Sequence, residues 1–281
     1  MNNIVLAILV LGILGAVFGL VLAVASKVFA VKTDPRLPEI IEALPGANCG
    51  GCGYAGCSDC AGHILEGTAP INACPVGGAT SAAKIGAIMG IEAVETERMV
   101  AFVRCNGGTN AKKKFEYRGV TDCVGALKVG AGPLECGYGC LGFGTCVQAC
   151  QFDAMHINDH GVAEVDTDKC TDCLKCATAC PRHLIISKPA ADPVVVPCAN
   201  KDKGVVAKNL CDVSCIACRL CEKNCPAGAI TVVDNCAQID YSKCTSCGTC
   251  VTKCPRKLIL DLSGKVVAVP AAVKPAESKA E

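Results

Sequence analysis

The sequence predicts an α+β chain: one N-terminal transmembrane helix, then a small cysteine-rich domain, then two tandem copies of a second cysteine-rich module. Three observations predict this organisation. They are an uncharged apolar stretch near the N-terminus, 26 cysteines in 281 residues, and an internal repeat in the second half of the chain. Cysteine at this density is typical of proteins that depend on disulfides or on metal sites.

The apolar stretch runs from Ile4 to Ala25 without a charge, which is long enough to cross a bilayer as a helix. The charges that follow it begin with Lys27, so the positive-inside rule predicts that the rest of the chain lies in the cytoplasm. A cleaved signal peptide is the alternative, because Ala23-Val24-Ala25 resembles a cleavage site. However, signal peptides have a shorter apolar core and a basic flank before it. We therefore expect residues 1–29 to be a single-pass anchor in the cell membrane.

Composition argues against several classes of protein. The formal net charge is +1, aromatic residues make up 4% of the chain and Trp is absent, so nothing indicates nucleic-acid binding. Disulfide scaffolds are usually short and secreted, and cysteines two residues apart pair poorly with each other. No G-x-G-x-x-G motif follows a predicted strand, so we expect this chain to bind neither flavin nor NAD itself.

The strongest motif is C-x2-C-x2-C-x3-C-P, which occurs three times and is typical of bacterial ferredoxins that bind two [4Fe-4S] clusters. Three thiolates at this spacing surround one face of a cubane, and the fourth is expected to open a helix and bind the other cluster of the pair. Zinc sites instead separate two cysteine pairs by a longer loop. The runs are Cys170, Cys173, Cys176 and Cys180; Cys215, Cys218, Cys221 and Cys225; and Cys244, Cys247, Cys250 and Cys254.

A fourth run, Cys136-x3-Cys140-x5-Cys146-x3-Cys150, is less regular and has Gln151 where proline is expected. It is nevertheless in register with the repeat, because Cys146 and Cys150 align with Cys221 and Cys225. We therefore interpret it as the first half of a ferredoxin pair with an enlarged loop. Two assignments depend on this alignment: Phe143 takes the place of Cys218, and Cys211 competes with Cys218 for a ligand role. We retain Cys218 because its spacing fits the pattern better.

The fourth cysteine of each run is expected to bind the other cluster of its module. The two modules are therefore predicted to hold four clusters. In the first module, the expected ligand sets are Cys136, Cys140, Cys146 and Cys180, and Cys150, Cys170, Cys173 and Cys176. In the second, they are Cys215, Cys218, Cys221 and Cys254, and Cys225, Cys244, Cys247 and Cys250.

The N-terminal motif is of a different type, C-x2-C-x4-C, followed by a Cys-Pro pair. Glycines between the cysteines let the backbone close tightly around a cluster. Cys60 competes with Cys74 for the fourth position. We prefer Cys74, because Cys-Pro recurs at the other cluster ends and a helix from Ser58 is expected to carry Cys60 away. The expected ligands are Cys49, Cys52, Cys57 and Cys74.

These sets use 20 cysteines as iron ligands of five [4Fe-4S] clusters. Six thiols are left over: Cys60, Cys105, Cys123, Cys198, Cys211 and Cys236. We interpret them as buried thiols, since free cysteine is among the most buried residue types. The alternative is a sixth metal site built from some of Cys105, Cys123, Cys198 and Cys211. The repeat argues against that site, because Cys123 and Cys198 take equivalent places in separate modules.

Short elements connect these motifs. We expect one or two helical turns at Leu37–Leu44, a packed helix at Ala82–Met89 and a strand at Met99–Arg104. Small strands are expected after the Cys-Pro pairs of the ferredoxin runs, at Leu184–Ile186, Ile230–Val233 and Leu258–Leu260. The expected divisions of the chain after the anchor are an N-terminal [4Fe-4S] domain at 30–95, a linker and first ferredoxin module at 96–192, a second module at 193–265 and a disordered tail at 266–281.

An anchor followed by the motif Ala47-Asn48-Cys49-Gly50-Gly51-Cys52-Gly53-Tyr54-Ala55-Gly56-Cys57 and ferredoxin modules resembles the B subunit of the Rnf family, over nearly the whole chain to about residue 262. The family is an ion-translocating ferredoxin:NAD+ oxidoreductase, a translocase that moves Na+ or H+.

The resemblance implies an electron-transport subunit without catalytic residues of its own. It would accept electrons from soluble reduced ferredoxin and pass them to the membrane and flavin-bearing subunits of the complex. Two alternatives remain: a membrane-anchored polyferredoxin that donates electrons to another membrane reductase, and an assembly or sensing module with structural clusters.

Overall fold

A computed structural model describes residues 2–28, 34–92 and 97–263. The expected disordered tail at 266–281 lies outside these residues, as do the expected domain boundaries near residues 29, 95 and 265. Helix α1 spans Asn2–Val28. Its segment Ile8–Lys27 is long and apolar enough to cross a membrane. The 27 residues of α1 correspond to about 40 Å of helix, which exceeds the thickness of a hydrocarbon core of about 30 Å.

Three helices form the N-terminal cysteine-rich domain: α2 (Arg36–Ala43), α3 (Cys57–Leu65) and α4 (Gly78–Met89). The expected helical turns near residues 37–44 and the packed helix near residues 82–89 are therefore confirmed. One fully buried isoleucine from each helix contributes to a common core, namely Ile40, Ile64 and Ile85. Helix α4 ends at Gly90, whose φ of 67° is the left-handed conformation that glycine adopts without strain.

Two repeat units with the same topology follow. In each unit, a strand near the beginning pairs with a strand near the end, and a hairpin lies between them. The first unit pairs β1 (Met99–Val103) with β4 (Ile185–Pro189) and contains the hairpin β2 (Met155–Ile157) and β3 (Ala163–Val165). The second pairs β5 (Val194–Val195) with β8 (Leu260–Asp261) and contains the hairpin β6 (Ile230–Val233) and β7 (Cys236–Ile239). The expected strands at Met99–Arg104 and after the Cys-Pro pairs are therefore confirmed.

The strand registers correct one equivalence between the units. Both closing strands follow a Cys-Pro-Arg sequence, which aligns Ile186 with Leu260. The residues that face these two are Phe102 and Val195, respectively. Cys105 lies three residues after Phe102, and Cys198 lies three residues after Val195. These two cysteines are therefore equivalent. The prediction that Cys123 is that equivalent is wrong, because the linker between β1 and Cys136 is much longer than its counterpart and spacing alone does not show where the extra residues lie.

Short helices lie within and between the cysteine runs. They are α5 (Cys123–Lys128), α6 (Thr145–Gln148), α7 (Lys175–Ala179), α8 (Gly204–Leu210), α9 (Leu220–Lys223) and α10 (Thr249–Lys253). The third cysteine of a run lies inside such a helix, as Cys176 does in α7. The fourth follows the helix: Cys180 and Cys254 are extended residues that end α7 and α10. The expectation that the fourth cysteine opens a helix is therefore wrong, and the extended conformation directs the chain across to the neighbouring site.

The core of the N-terminal domain gives a first prediction. Replacing Ile85 by Ala leaves a cavity among α2, α3 and α4, so we expect the free energy of opening of α4 to fall by about 2–5 kcal/mol. Hydrogen exchange of the α4 amides in the anaerobic full-length chain measures this change. The matched control is Ile91→Ala, because Ile91 is 52% exposed, and we expect a change below about 0.5 kcal/mol. Equal effects of the two substitutions would contradict the proposed packing.

Candidate iron–sulfur sites

The cysteine side chains gather into small apolar cavities, each lined by cysteines from different parts of the chain. Within the residues that the structure describes, no three His, Cys, Asp or Glu side chains converge as they would around a single metal ion. The four thiolates of a cubane bind four different iron atoms, so they stand farther apart than the ligands of one ion. The cysteines that line one cavity are therefore the candidate ligands of one cluster.

The second repeat unit contains two such cavities. The first is lined by Cys215, Cys218, Cys221 and Cys254. The second is lined by Cys225, Cys244, Cys247 and Cys250. The structure thus brings together the two groups that the crossing rule predicts for this unit. Cys211, which competes with Cys218 in the sequence, does not line either cavity.

In the first repeat unit, the corresponding cavity has a different composition from the predicted one. It is lined by Cys123, Cys140, Cys146 and Cys180. The structure does not bring Cys136 to this cavity. Phe143, which aligns with Cys218, lies against Tyr117 with a distance of 5.1 Å between ring centroids. Because that position supplies no sulfur, the fourth thiol comes from Cys123, which was expected to be a buried non-ligand.

A network of hydrogen bonds positions Cys123. Asp122 caps α5 by accepting a hydrogen bond from the Gly125 amide at 2.7 Å, and it also accepts one from the Thr145 hydroxyl at 2.8 Å. The same hydroxyl accepts a hydrogen bond from the Cys123 amide at 2.8 Å. The hydrogen bonds from Gly125 and Thr145 lower the pKa of Asp122, and the network fixes the start of α5 against α6. Two sequence signals could have identified Cys123. One is the N-cap aspartate directly before it, and the other is the phenylalanine at a ligand position of the run.

The structure also brings together the second predicted group of the first unit, because the sulfurs of Cys150, Cys170 and Cys173 lie near that of Cys176. Burial, together with the nearby sulfurs of Cys170, Cys173 and Cys150, raises the pKa of Cys176 to about 12. Two of these sulfurs accept hydrogen bonds from backbone amides, namely Cys150 from Ala154 at 3.4 Å and Cys170 from Ala101 at 3.3 Å. The second unit has the first of these contacts as well, because the Ala229 amide donates to the Cys225 sulfur at 3.3 Å.

In the N-terminal domain, Cys52, Cys57 and Cys74 belong to one core cluster, and Cys49 begins the loop that leads to Cys52. Asn48 positions this loop, because its side-chain oxygen accepts a hydrogen bond from the Cys57 amide at 2.8 Å. Gly53 has a φ of 87°, so the tight turn between the cysteines requires glycine at this position.

The expectation that α3 carries Cys60 away from this site is wrong. Cys60 is 1% exposed, and its sulfur lies near those of Cys52, Cys74 and Cys57. Burial and these neighbours raise the pKa of Cys60 to about 12. Burial raises the pKa of Cys74 as well, but its sulfur also accepts a hydrogen bond from the Gly77 amide at 3.4 Å, and such a bond favours a thiolate.

The N-terminal site lies against the first repeat unit. Cys74 and Cys170 line one shared cavity. A Cβ atom placed on Gly51 would stand 2.9 Å from the Cα atom of Cys173, so only glycine permits this approach of the two loops. The N-terminal loop and the second group of the first unit are therefore neighbours.

These cavities have the properties that [4Fe-4S] clusters require. Three of them share a mostly apolar lining that includes four cysteines each, as expected for one kind of occupant. Arg182 and Arg256 line the equivalent cavities of the two units, and the Nε atom of each is buried without a hydrogen-bond partner. Because buried donors are normally satisfied, these two atoms indicate an absent acceptor, and the sulfide face of an anionic cluster is a suitable one.

Three family models match parts of the chain. They are described as "Putative Fe-S cluster" for residues 44–76, "4Fe-4S binding domain" for residues 162–185 and "4Fe-4S dicluster domain" for residues 214–259. The matches include the N-terminal motif and parts of both repeat units. They support [4Fe-4S] clusters as the occupants of the cysteine-lined cavities.

Curated relatives match the chain over most of its length. The B subunit of the Na(+)-translocating ferredoxin:NAD(+) oxidoreductase complex of Acetobacterium woodii is 48% identical, over 92% of this chain and 78% of the relative. The B subunit of the ion-translocating oxidoreductase complex of Methanosarcina acetivorans is 46% identical, over 90% of this chain and 96% of the relative. The B subunit of the proton-translocating ferredoxin:NAD(+) oxidoreductase complex of Clostridium ljungdahlii is 44% identical, over 91% of each chain. Identity at this level and coverage show that the chain belongs to the family of B subunits of ion-translocating oxidoreductase complexes.

Proposed function

We propose that this chain is the electron-transfer subunit of a membrane-bound, ion-translocating ferredoxin:NAD+ oxidoreductase. It accepts electrons from reduced ferredoxin and relays them to partner subunits. The observation that carries this proposal is the succession of apolar cavities lined by cysteines, in a chain with an apolar N-terminal helix and with relatives named as subunits of such complexes.

The proposed cofactors of this relay are five [4Fe-4S] clusters, each of which takes up and releases single electrons when bound. The ligand sets follow the predicted ones with a single change, which is Cys123 in place of Cys136. They are Cys49, Cys52, Cys57 and Cys74; Cys123, Cys140, Cys146 and Cys180; Cys150, Cys170, Cys173 and Cys176; Cys215, Cys218, Cys221 and Cys254; and Cys225, Cys244, Cys247 and Cys250.

The protein contributes ligation, hydrogen bonding and exclusion of water. Backbone amides, such as those of Ala154 and Ala229, donate hydrogen bonds to ligand sulfurs and favour the thiolate form. Apolar side chains close the cavities: Leu184 and Ile185 line the one formed by Cys123 and its partners. Burial and hydrogen bonding are the means by which a protein sets the reduction potential of a cluster.

We propose the domain division expected from the sequence: an anchor at 1–29, an N-terminal cluster domain at 30–95, ferredoxin modules within 96–192 and 193–265, and a tail at 266–281. The cluster domains lie on the cytoplasmic side, as supported by the basic residue Lys27 after the apolar stretch. This side is also where a soluble ferredoxin is available.

The partners proposed for this chain are soluble ferredoxin and the membrane and flavin-bearing subunits of the complex. Cys218 and Cys247 are exposed, so the cavities of the second unit open towards solvent. This exposure supports electron entry from a soluble donor at the second unit. The coupling ion, Na+ or H+, is not a property of the cysteine sites, and relatives named for each ion are similar to this chain.

Reduction by ferredoxin in oriented membranes tests the proposed function. We expect reduced ferredoxin to reduce the clusters of the membrane-bound chain in inside-out vesicles and not in right-side-out vesicles, measured anaerobically by EPR. Vesicles without the chain are the control.

Clusters that stay oxidised at the potential of ferredoxin would contradict the relay and favour structural clusters. Equal reduction in both vesicle types would contradict the orientation, and reduction without any NAD+ reduction by the complete complex would favour another reductase.

The N-terminal ligand set gives a second test, because Cys60 and Cys74 are adjacent buried thiols with different surroundings. We expect Cys74→Ala to remove the N-terminal cluster, about four iron atoms per chain. The matched control Cys60→Ala should retain all iron, since we propose that Cys60 is a neutral thiol beside the cluster. Iron and acid-labile sulfide analysis of the full-length chain measures both. Loss of the cluster in Cys60→Ala with retention in Cys74→Ala would reverse the assignment.

The same analysis applies to the first module. We expect Cys123→Ala to lose about four iron atoms, because Cys123 supplies the fourth sulfur of its cavity. The control is Cys236→Ala, which removes a buried thiol that lines none of the three cavities of the two units described above. Full iron content in Cys123→Ala would return Cys136 to this ligand set.

A further inference from the structure

Four cysteines outside the five ligand sets lie where the two repeat units meet. They are Cys105 and Cys136 from the first unit and Cys198 and Cys211 from the second. Cys136, Cys198 and Cys211 are 6%, 8% and 6% exposed, and Cys105 is half-buried. The five proposed ligand sets leave these four thiols at the junction without a function.

The four cysteines form two equivalent pairs. The strand registers make Cys105 equivalent to Cys198, and the cysteine runs align Cys136 with Cys211. The hydrogen bonds repeat as well. The Cys105 sulfur accepts from the amide of Cys140 at 3.3 Å, and the Cys198 sulfur accepts from the amide of Cys215 at 3.5 Å. The two donors, Cys140 and Cys215, occupy equivalent positions in the two cysteine runs.

A second backbone amide serves each sulfur of this pair. The Gly107 amide donates to the Cys105 sulfur at 3.4 Å. Its equivalent, the Asn200 amide, lies near the Cys198 sulfur. Two amides directed at one sulfur stabilise a thiolate, which is the form that binds iron.

Contacts between the units are reciprocal. The Asn200 side-chain amide of the second unit donates to the Cys136 sulfur of the first at 3.3 Å. At the equivalent place, Gly107 of the first unit lies against Cys211 of the second: a Cβ atom on Gly107 would stand 3.6 Å from the Cys211 sulfur and 3.5 Å from the Cys105 sulfur. This exchange, in which each unit contacts the cysteine of the other, is the pattern of a two-fold symmetric interface.

Further contacts bring the cysteines and positive charge to the same junction. Ala111 forms an isolated β-bridge with Cys211. The Cys136 and Cys198 sulfurs lie close enough to that of Cys211 to interact with it electrostatically. Arg104 donates to the Cys198 carbonyl at 3.3 Å and Arg256 to the Cys211 carbonyl at 3.1 Å. These guanidinium groups offset the negative charge of an anionic group bound between the units.

We propose that Cys105, Cys136, Cys198 and Cys211 bind a sixth [4Fe-4S] cluster at the junction of the two repeat units, two ligands from each. Its neighbours are Cys140 and Cys215, which are ligands of the first site in each unit. The sixth cluster therefore lies between these two sites and connects the two modules. The proposal rests on the proposed function in one respect, namely that the cysteine-lined cavities hold [4Fe-4S] clusters.

The two remaining thiols outside the five sets are not part of this group. Cys60 lies in the core of the N-terminal domain. Cys236 lies beside the sulfurs of Cys198 and Cys215, and its thiol donates a hydrogen bond to the Cys198 carbonyl at 3.2 Å. A thiol that donates in this way is protonated, whereas an iron ligand is a thiolate. Cys236 therefore serves as a matched control for the four proposed ligands.

The iron content of the full-length chain tests the sixth cluster directly. After anaerobic purification in detergent and reconstitution with Fe²⁺ and sulfide, we expect about 24 iron atoms per chain, against about 20 for five clusters. A content of about 20 in a chain that ferredoxin still reduces would overturn the sixth cluster and leave the proposed function intact.

Pairs of substitutions test whether the four thiols serve one cluster. We expect Cys105→Ala and Cys211→Ala each to lose about four iron atoms, and the double variant to lose about four as well, because both remove the same cluster. The control Cys236→Ala should retain about 24 iron atoms, the content of six clusters. Additive losses of about eight iron atoms in the double variant would assign the two thiols to different clusters and overturn the proposal, as would full iron content in either single variant.

Discussion

Each cysteine cavity is closed by one sulfur from a distant part of the chain, and the fold of the two repeat units depends on this constraint. Cys180 reaches the cavity of Cys140 and Cys146, and Cys254 does the same for Cys215 and Cys221. The antiparallel pair at the ends of each unit holds these distant segments in register. The strands are only two to five residues long, so we expect cluster binding to contribute a large part of the folding free energy of these units.

Duplication explains the arrangement of the two units and also where they differ. The short helices, hairpins and closing strands are equivalent, yet the first unit lacks a cysteine at Phe143 and obtains Cys123 from its long linker instead. The Asp122 cap and Thr145 hold that replacement in place. The same linker provides the Gly107 loop, which approaches the second unit. One enlarged segment therefore completes a cavity in its own unit and contributes to the junction with the other.

The junction has consequences for electron transfer. The N-terminal loop approaches Cys173, Cys170 shares a cavity with Cys74, and the proposed sixth cluster lies between the first sites of the two units. The proposed clusters then form a connected series from the N-terminal domain to the exposed cysteines of the second unit. Glycine at position 51 permits the first of these close approaches, because a side chain there would meet the backbone of Cys173.

The sequence by itself determined the apolar N-terminal helix, the repeat and the grouping of the cysteines in the second unit, because these features depend on local spacing and composition. Three cysteines with two residues between successive members surround one site, whatever the path of the rest of the chain. The tertiary structure decided what spacing cannot encode: that Cys123 and not Cys136 completes a cavity, that Cys60 remains beside the N-terminal site, and that Cys105 is equivalent to Cys198. Each of these depends on the path of a linker or the facing of a helix, which hydrogen bonds and packing between distant segments determine.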